Sequence, residues 1–141
     1  MTKRYLIDTC IWRDYFEDRV GRNKNPLGKY AKKFIFNIMK KKDEILFVSK
    51  IIQELKNNYE DKEIQDMMTI LSMLVKIEWI EVTKKQFEEA EDISRNRNLP
   101  FPDCLYAVLA RDNKAIMITQ DNHFFKNLTD IANIKRPQEL I

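Results

Sequence analysis

Short apolar runs alternate with longer segments of helical periodicity along most of the chain. The runs are rich in isoleucine, valine and aromatic residues and cover residues 4–8, 45–48, 79–82, 115–119 and 131–134. Runs of this length and composition predict strands. Because helical segments separate the first four runs, the pattern predicts a five-stranded, mainly parallel sheet with helices on both faces, which is a three-layer α/β/α fold.

The segments between the runs predict helices of different kinds. Apolar residues at i, i+3 and i+4 spacing predict helices over residues 29–42, 64–75 and, more weakly, from 83 or 84 to about 97. The segment 104–110 is apolar nearly all round, which is typical of a helix buried against a sheet. Residues 23–28 contain Asn, Pro and Gly and predict an exposed loop.

Composition restricts the class of protein. The chain has 141 residues, of which 44% are hydrophobic and 33% charged, so it is too apolar for a disordered chain. No apolar run approaches the roughly 18–20 residues of a transmembrane helix, and Asp8 interrupts the N-terminus too early for a secretory signal. We therefore expect one domain over residues 1–141, soluble in the cytoplasm, with no membrane association and with Cys10 and Cys104 reduced.

Basic residues are concentrated in the first third of the chain. Residues 1–42 contain 12 Lys and Arg against 4 Asp and Glu, although the net charge of the whole chain is only +3. Nine of these basic residues lie between Arg19 and Lys42 with no acid among them. Such a block suits either a polyanionic partner or a solvated helix face, and the charge alone does not distinguish the two.

Four acids occupy unusual places in the predicted elements. Asp8 ends the first predicted strand, Asp121 follows the fourth, Asp103 lies at the first turn of the buried helix, and Glu54 borders the apolar side of a helix over 49–57. Ligands of open α/β sheets bind at the carboxyl ends of the strands. Carboxylates brought together there repel one another unless a cation is present, and oxygen ligands favour Mg²⁺ or Mn²⁺.

Each aspartate also has a structural alternative. Asp8, Asp103 and Asp121 all stand where an N-cap of a following helix is expected, and Asp is a favoured N-cap. Glu54 has no such role. His123, the only histidine, is interpreted as a packing or capping residue, with contact to a phosphate as the alternative. Together with Cys10 and Cys104 it supplies too few ligands for a structural zinc site.

Four sequence blocks resemble those of PIN domains, and in size and order the chain is similar to the VapC toxins of type II toxin–antitoxin pairs. The blocks are YLIDTCIW at residues 5–12, SKIIQEL at 49–55, FPDCLYAVLA at 101–110 and ITQDNHF at 118–124. The closing residues 134–139 resemble the terminal strand, proline and tail of the family. One departure is the long basic stretch from Arg19 to Lys42, which bears on how a substrate or partner approaches.

The resemblance implies a metal-dependent endoribonuclease with a five-stranded parallel sheet and an acidic Mg²⁺ pocket, in which Mn²⁺ can substitute. Its catalytic and metal-binding acids correspond to Asp8, Glu54, Asp103 and Asp121, and Thr119 corresponds to a residue that steadies the pocket. It also implies an RNA substrate, a homodimer and a cognate antitoxin protein. Two alternatives are an RNA-processing or maturation nuclease and a scaffold that binds RNA or protein without cutting.

Overall fold

The computed structural model describes residues 2–141, and its centre is a parallel sheet. The five strands are β1 (Arg4–Ile7), β2 (Glu44–Phe47), β3 (Lys76–Trp79), β4 (Ile116–Ile118) and β5 (Ile134–Lys135). They pair in the order β3-β2-β1-β4-β5, and every pair is parallel. The predicted three-layer α/β/α fold with a parallel sheet is confirmed.

Seven helices connect the strands of the described chain. They are α1 (Thr9–Glu17), α2 (Leu27–Lys41), α3 (Ser49–Leu55), α4 (Asp61–Leu74), α5 (Lys84–Arg97), α6 (Phe101–Asp112) and α7 (Asn122–Asn127). Short 3₁₀ turns lie at Arg22–Lys24 and Pro137–Leu140. None of the helices has the length and apolarity needed to span a bilayer.

The core forms where the central strands meet the helices around them. β1 and β2 bury every residue except their first, because they are interior strands of a parallel sheet whose two faces are both covered by helices. All residues from Cys104 to Ala110 of α6 are buried, as their uniform apolarity predicts. Trp12 of α1 is also buried, and its indole stacks on Phe47 of β2.

The two edge strands differ from their predicted positions. The third strand was predicted at 79–82 but is Lys76–Trp79, because this edge strand is largely exposed, carries polar residues and lacks an apolar run. The fifth was predicted at 131–134 but is Ile134–Lys135. Ile131 instead lies in a turn, where its N–H donates to the carbonyl of Leu128 at 3.0 Å.

The predicted loop over 23–28 is wrong at its end. Leu27 and Gly28 already belong to α2, and Gly28 is buried. Its N–H donates to the carbonyl of Arg19 at 2.8 Å, and a Cβ added to it would lie 2.5 Å from the Cα of Asp18. Glycine is therefore needed at this position because the turn between α1 and α2 closes directly against the helix.

Candidate metal centre

Asp8 lies at the carboxyl edge of the sheet, where β1, β2 and β4 end, and both of its carboxylate oxygens accept hydrogen bonds. Oδ1 accepts from the Thr9 N–H at 2.8 Å, so Asp8 is the N-cap of α1. Oδ2 accepts from the Thr119 hydroxyl at 2.7 Å. The oxygen of the fully buried Thr119 side chain also accepts from the Asp121 N–H at 3.0 Å. Thr119 thus connects the two acids that follow β1 and β4.

Asp103 has no capping role. Pro100 is the N-cap residue of α6, and no side-chain cap bond is formed there, so Asp103 lies inside the first turn of the helix. The capping alternative is wrong for this acid, although Asp121 does cap α7 by accepting from the His123 N–H at 2.9 Å. Within residues 2–141 no group donates a hydrogen bond to the half-buried Asp103 carboxylate.

The side chain of His123 lies beside two of the acids. One ligand atom each of Asp103, Asp121 and His123 can be chosen so that all lie within 4.8 Å of one another. Of these atoms, His123 Nδ1 and Asp121 Oδ1 are 3.1 Å apart. The ring of His123 is 64% exposed, so it faces solvent at the mouth of the site and is not packed into the core.

Two hydroxyl groups hold the Glu54 side chain. The Tyr106 hydroxyl donates to Glu54 Oε1, and the Thr9 hydroxyl donates to the same oxygen at 3.3 Å. Both bonds reach Oε1, which leaves Oε2 without a hydrogen bond from the described chain. Sequence reasoning missed Tyr106 by assigning it to the core, although its spacing of three residues from Asp103 places both on one side of α6.

The four acids, which we call the four-acid site (Asp8, Glu54, Asp103 and Asp121), influence one another electrostatically. Burial raises the pKa of Asp8 to about 6, and the charge of Glu54 adds to the rise. The pKa of Asp103 rises to about 7, first through burial and then through the charges of Asp8 and Asp121. Among residues 2–141, no lysine or arginine forms an ion pair with any of them.

This combination fits a divalent cation. Carboxylates that are partly buried, close together and without a basic partner are stabilised by a cation that offsets their mutual repulsion. Carboxylate oxygens are the ligands that Mg²⁺ and Mn²⁺ prefer. In particular, no hydrogen-bond donor of the described chain holds the Asp103 carboxylate in its orientation.

The basic block of residues 19–42 is divided by the fold. Arg19 donates to Asp14 Oδ1 at 2.8 Å and to the Cys10 carbonyl at 3.1 Å, so it stabilises the turn after α1. Lys40 and Lys41 end α2 two residues before β2 begins, which places them at the amino edge of the sheet, opposite the four-acid site. Of the basic block, only the part that precedes Lys40 can lie near the four-acid site.

Comparison with known proteins gives a consistent result for the fold. The sequence model of the PIN domain family matches residues 5–130. No curated protein sequence matches the chain.

Similar solved structures include proteins of toxin–antitoxin complexes. One, from Klebsiella pneumoniae, has 19% identity and a TM-score of 0.63, with 94% of this chain and 97% of that chain covered. VapBC2 from Rickettsia felis, bound to a DNA fragment from its promoter, has 19% identity and a TM-score of 0.64, with 94% and 98% covered. FitAcB from Neisseria gonorrhoeae has 11% identity and a TM-score of 0.58, with 95% and 98% covered. At these identities the likeness shows a shared fold.

Proposed function

The chain belongs to the PIN domain family, and on this premise we propose that it is a metal-dependent endoribonuclease, the toxin of a type II toxin–antitoxin pair. In this proposal residues 1–141 form one such domain that acts in the cytoplasm. The observation that carries it is the four-acid site, whose carboxylates have no lysine or arginine partner in the described chain. Hydrolysis of an RNA phosphodiester needs positive charge beside the phosphate, and a cation bound by these carboxylates would supply it.

The metal-binding and catalytic residues in this proposal are Asp8, Glu54, Asp103 and Asp121. Asp8 and Asp103 bind the cation directly, and Asp121 and Glu54 hold a second ion or water molecules. When bound, Mg²⁺, or Mn²⁺ in its place, lowers the pKa of a coordinated water and neutralises charge on the phosphate. Thr119 supports the site by fixing one Asp8 oxygen and the backbone of Asp121.

Glu54 has the contacts expected of a group that orients the attacking water. Its Oε1 is fixed by Tyr106 and Thr9, so the carboxylate is held in one orientation. Its Oε2 has no donor in the described chain and can accept a hydrogen bond from water. Holding water in line with the phosphorus lowers the entropic part of the barrier to hydrolysis.

In this proposal, the RNA phosphates contact the part of the basic block that precedes Lys40, and these contacts hold the RNA at the four-acid site. Arg22, Lys24, Lys29 and Lys33 are exposed and form no ion pair within the described chain. Such contacts supply affinity and orientation without sequence recognition. The identity of the RNA then depends on the shape of the surrounding loops.

A cognate antitoxin protein and a second copy of the chain are the proposed partners. Support comes from the solved toxin–antitoxin complexes with the same fold and from a largely apolar cleft of about 400 Å³ between α1, α2 and the end of α4. Coexpression with the product of an adjacent small gene should yield a stable complex that does not cut RNA. The absence of such an adjacent gene would favour RNA maturation as the role of the protein.

The deciding experiment is cleavage of a mixed pool of structured RNA by the wild type and Asp103→Asn. Each protein is assayed with Mg²⁺, with Mn²⁺ and with EDTA. Asp112→Asn, at the far end of α6 beside Arg111, serves as the matched control. We expect cutting that requires metal, survives in Asp112→Asn and is lost in Asp103→Asn. RNA binding without cutting in all three proteins would overturn the proposal in favour of a scaffold.

A further inference from the structure

His123 is a polar side chain at the four-acid site that has no structural task of its own. Its ring is 64% exposed, and its nearest ionic neighbour is Asp121 Oδ1, 3.1 Å from Nδ1. The cap of α7 uses its backbone N–H only, so helix formation does not depend on the ring. The imidazole is therefore available to bind a ligand.

The backbone that carries His123 is firmly anchored. Phe124, the next residue, is fully buried. Arg136 donates to Asn122 Oδ1 at 2.9 Å and lies 3.9 Å from the ring centroid of Phe125, which fixes the residues on both sides of His123. A ring presented from a fixed backbone beside two carboxylates is well placed for ligation, because little conformational freedom is lost when it binds.

We propose that a ring nitrogen of His123 joins Asp103 and Asp121 as a ligand of the second ion, the one assigned above to Asp121, which makes this a mixed nitrogen and oxygen site that prefers Mn²⁺ to Mg²⁺. The inference rests on the proposed function, since it concerns the same metal centre. Its geometric basis is the group of three ligand atoms within 4.8 Å.

The preference follows from the donor set. Mg²⁺ gives up water reluctantly and is bound almost entirely by oxygen. Mn²⁺ lies in the transition-metal series, whose members accept imidazole nitrogen as well as carboxylate oxygen. One nitrogen in place of one oxygen therefore weakens Mg²⁺ binding relative to Mn²⁺ binding.

Electron paramagnetic resonance of Mn²⁺ tests the ligand directly and without any measurement of activity. The wild-type protein loaded with Mn²⁺ should show electron spin-echo modulation from a directly bound nitrogen. The modulation should disappear in His123→Gln and persist in Lys126→Gln, an exposed substitution on the same helix. Modulation that persists in His123→Gln, or is absent from the Mn²⁺-loaded wild type, would overturn the inference.

Metal affinities measured in competition give the second readout. In His123→Gln we expect about a tenfold loss of Mn²⁺ affinity, as for other changes near a metal, with Mg²⁺ affinity nearly unchanged. Equal losses for the two ions would contradict the preference. A wild type that binds Mn²⁺ without a nitrogen ligand would reject this inference and leave the nuclease proposal standing. A wild type that binds neither ion would reject both.

Discussion

Acidic residues lie at both edges of the sheet, but they have lysine or arginine partners at the amino edge and none at the carboxyl edge of the described chain. At the amino edge Glu44 lies between Lys76 at 2.8 Å and Arg4 at 3.6 Å, and Arg4 also pairs with Glu78 at 2.5 Å. The strand register explains this, since Arg4 pairs with Glu44 and Glu44 with Lys76 across three strands. The hydrogen bond from Lys76 lowers the pKa of Glu44.

At the carboxyl edge the four acids have no lysine or arginine partner within the described residues. The pKa values of Asp8 and Asp103 rise to about 6 and about 7, in the direction opposite to that of Glu44. An acid with a basic partner contributes to folding, whereas a group of acids without one is costly until a cation binds. Charge pairing, more than the number of acids, distinguishes the edge whose acids stabilise the fold from the edge at which we propose that a cation binds.

The same substitution at the two edges should separate these roles most widely. We expect Glu54→Gln to reduce RNA cleavage by about 100-fold or more, because it removes the negative charge that orients water and metal. Glu44→Gln should leave cleavage within about twofold and lower the free energy of unfolding by about 1 kcal/mol or less, as for an ion pair near the surface. Initial cleavage rates and chemical denaturation measure the two effects.

Equal losses of cleavage in Glu54→Gln and Glu44→Gln would show that activity follows general stability. In that case the comparison of the two edges would fail.

Tyr106→Phe should give an intermediate effect. The substitution keeps the buried ring and removes only the hydroxyl that donates to Glu54. Because Glu54 then loses one of its two fixed contacts, we expect kcat to fall about tenfold, which is typical of a lost orienting contact, while KM changes little. Single-turnover cleavage at saturating RNA checks this split. A change confined to KM would show that Tyr106 serves RNA binding instead.

The far end of the basic block should show the smallest effect on RNA binding. Since Lys40 and Lys41 lie at the amino edge, we expect Lys40→Gln/Lys41→Gln to change RNA affinity by about twofold or less and to leave the salt dependence unaltered.

The matched pair is Arg22→Gln/Lys24→Asn, in which Asn suits the positive φ of 58° at Lys24. This pair should weaken binding and reduce the salt dependence. If instead only the pair at Lys40 and Lys41 weakened binding, RNA would approach from the amino edge. Filter binding at several salt concentrations distinguishes the two approaches.

The sequence predicted the centre of the fold better than its edges. β1, β2 and β4 are buried, so their apolar runs mark them within one residue at either end. β3 is exposed and begins with Lys76, so its sequence reads as polar and the run that follows it was taken for the strand. A strand buried on both faces requires a continuous apolar run in its sequence, whereas an exposed edge strand does not.

For the site, position along the chain predicted where the acids lie, and the family resemblance pointed to Thr119, but neither identified Tyr106 as a support. Asp8 and Asp121 follow strands, which brings them to the carboxyl edge in any parallel sheet. Tyr106 resembles a core residue in sequence because its ring is buried, and only the structure shows that its hydroxyl reaches Glu54. His123 lies beside Asp121 in sequence, but the direction of its ring depends on how α7 is anchored.

The raised pKa of Asp103 contributes to the pH dependence of stability when no metal is present. Its folded pKa of about 7 exceeds the ordinary value of 3.8, so the folded state holds a proton that the unfolded state releases. The resulting penalty is absent below about pH 4, grows as pH rises towards 7 and is complete above it. Asp103→Asn removes this penalty, and it removes no helix cap.

The most direct test of the central claim is the free energy of unfolding of the wild type and Asp103→Asn, in EDTA and in saturating Mn²⁺. In EDTA we expect Asp103→Asn to be the more stable by roughly 1–3 kcal/mol at pH 8, a shift discounted for solvent exposure, and equal to the wild type near pH 4. At pH 8 in Mn²⁺ the order should reverse, because only the wild type gains tight binding. An Asp103→Asn protein that is less stable than the wild type at pH 8 in EDTA, and stabilised equally by Mn²⁺, would contradict the account.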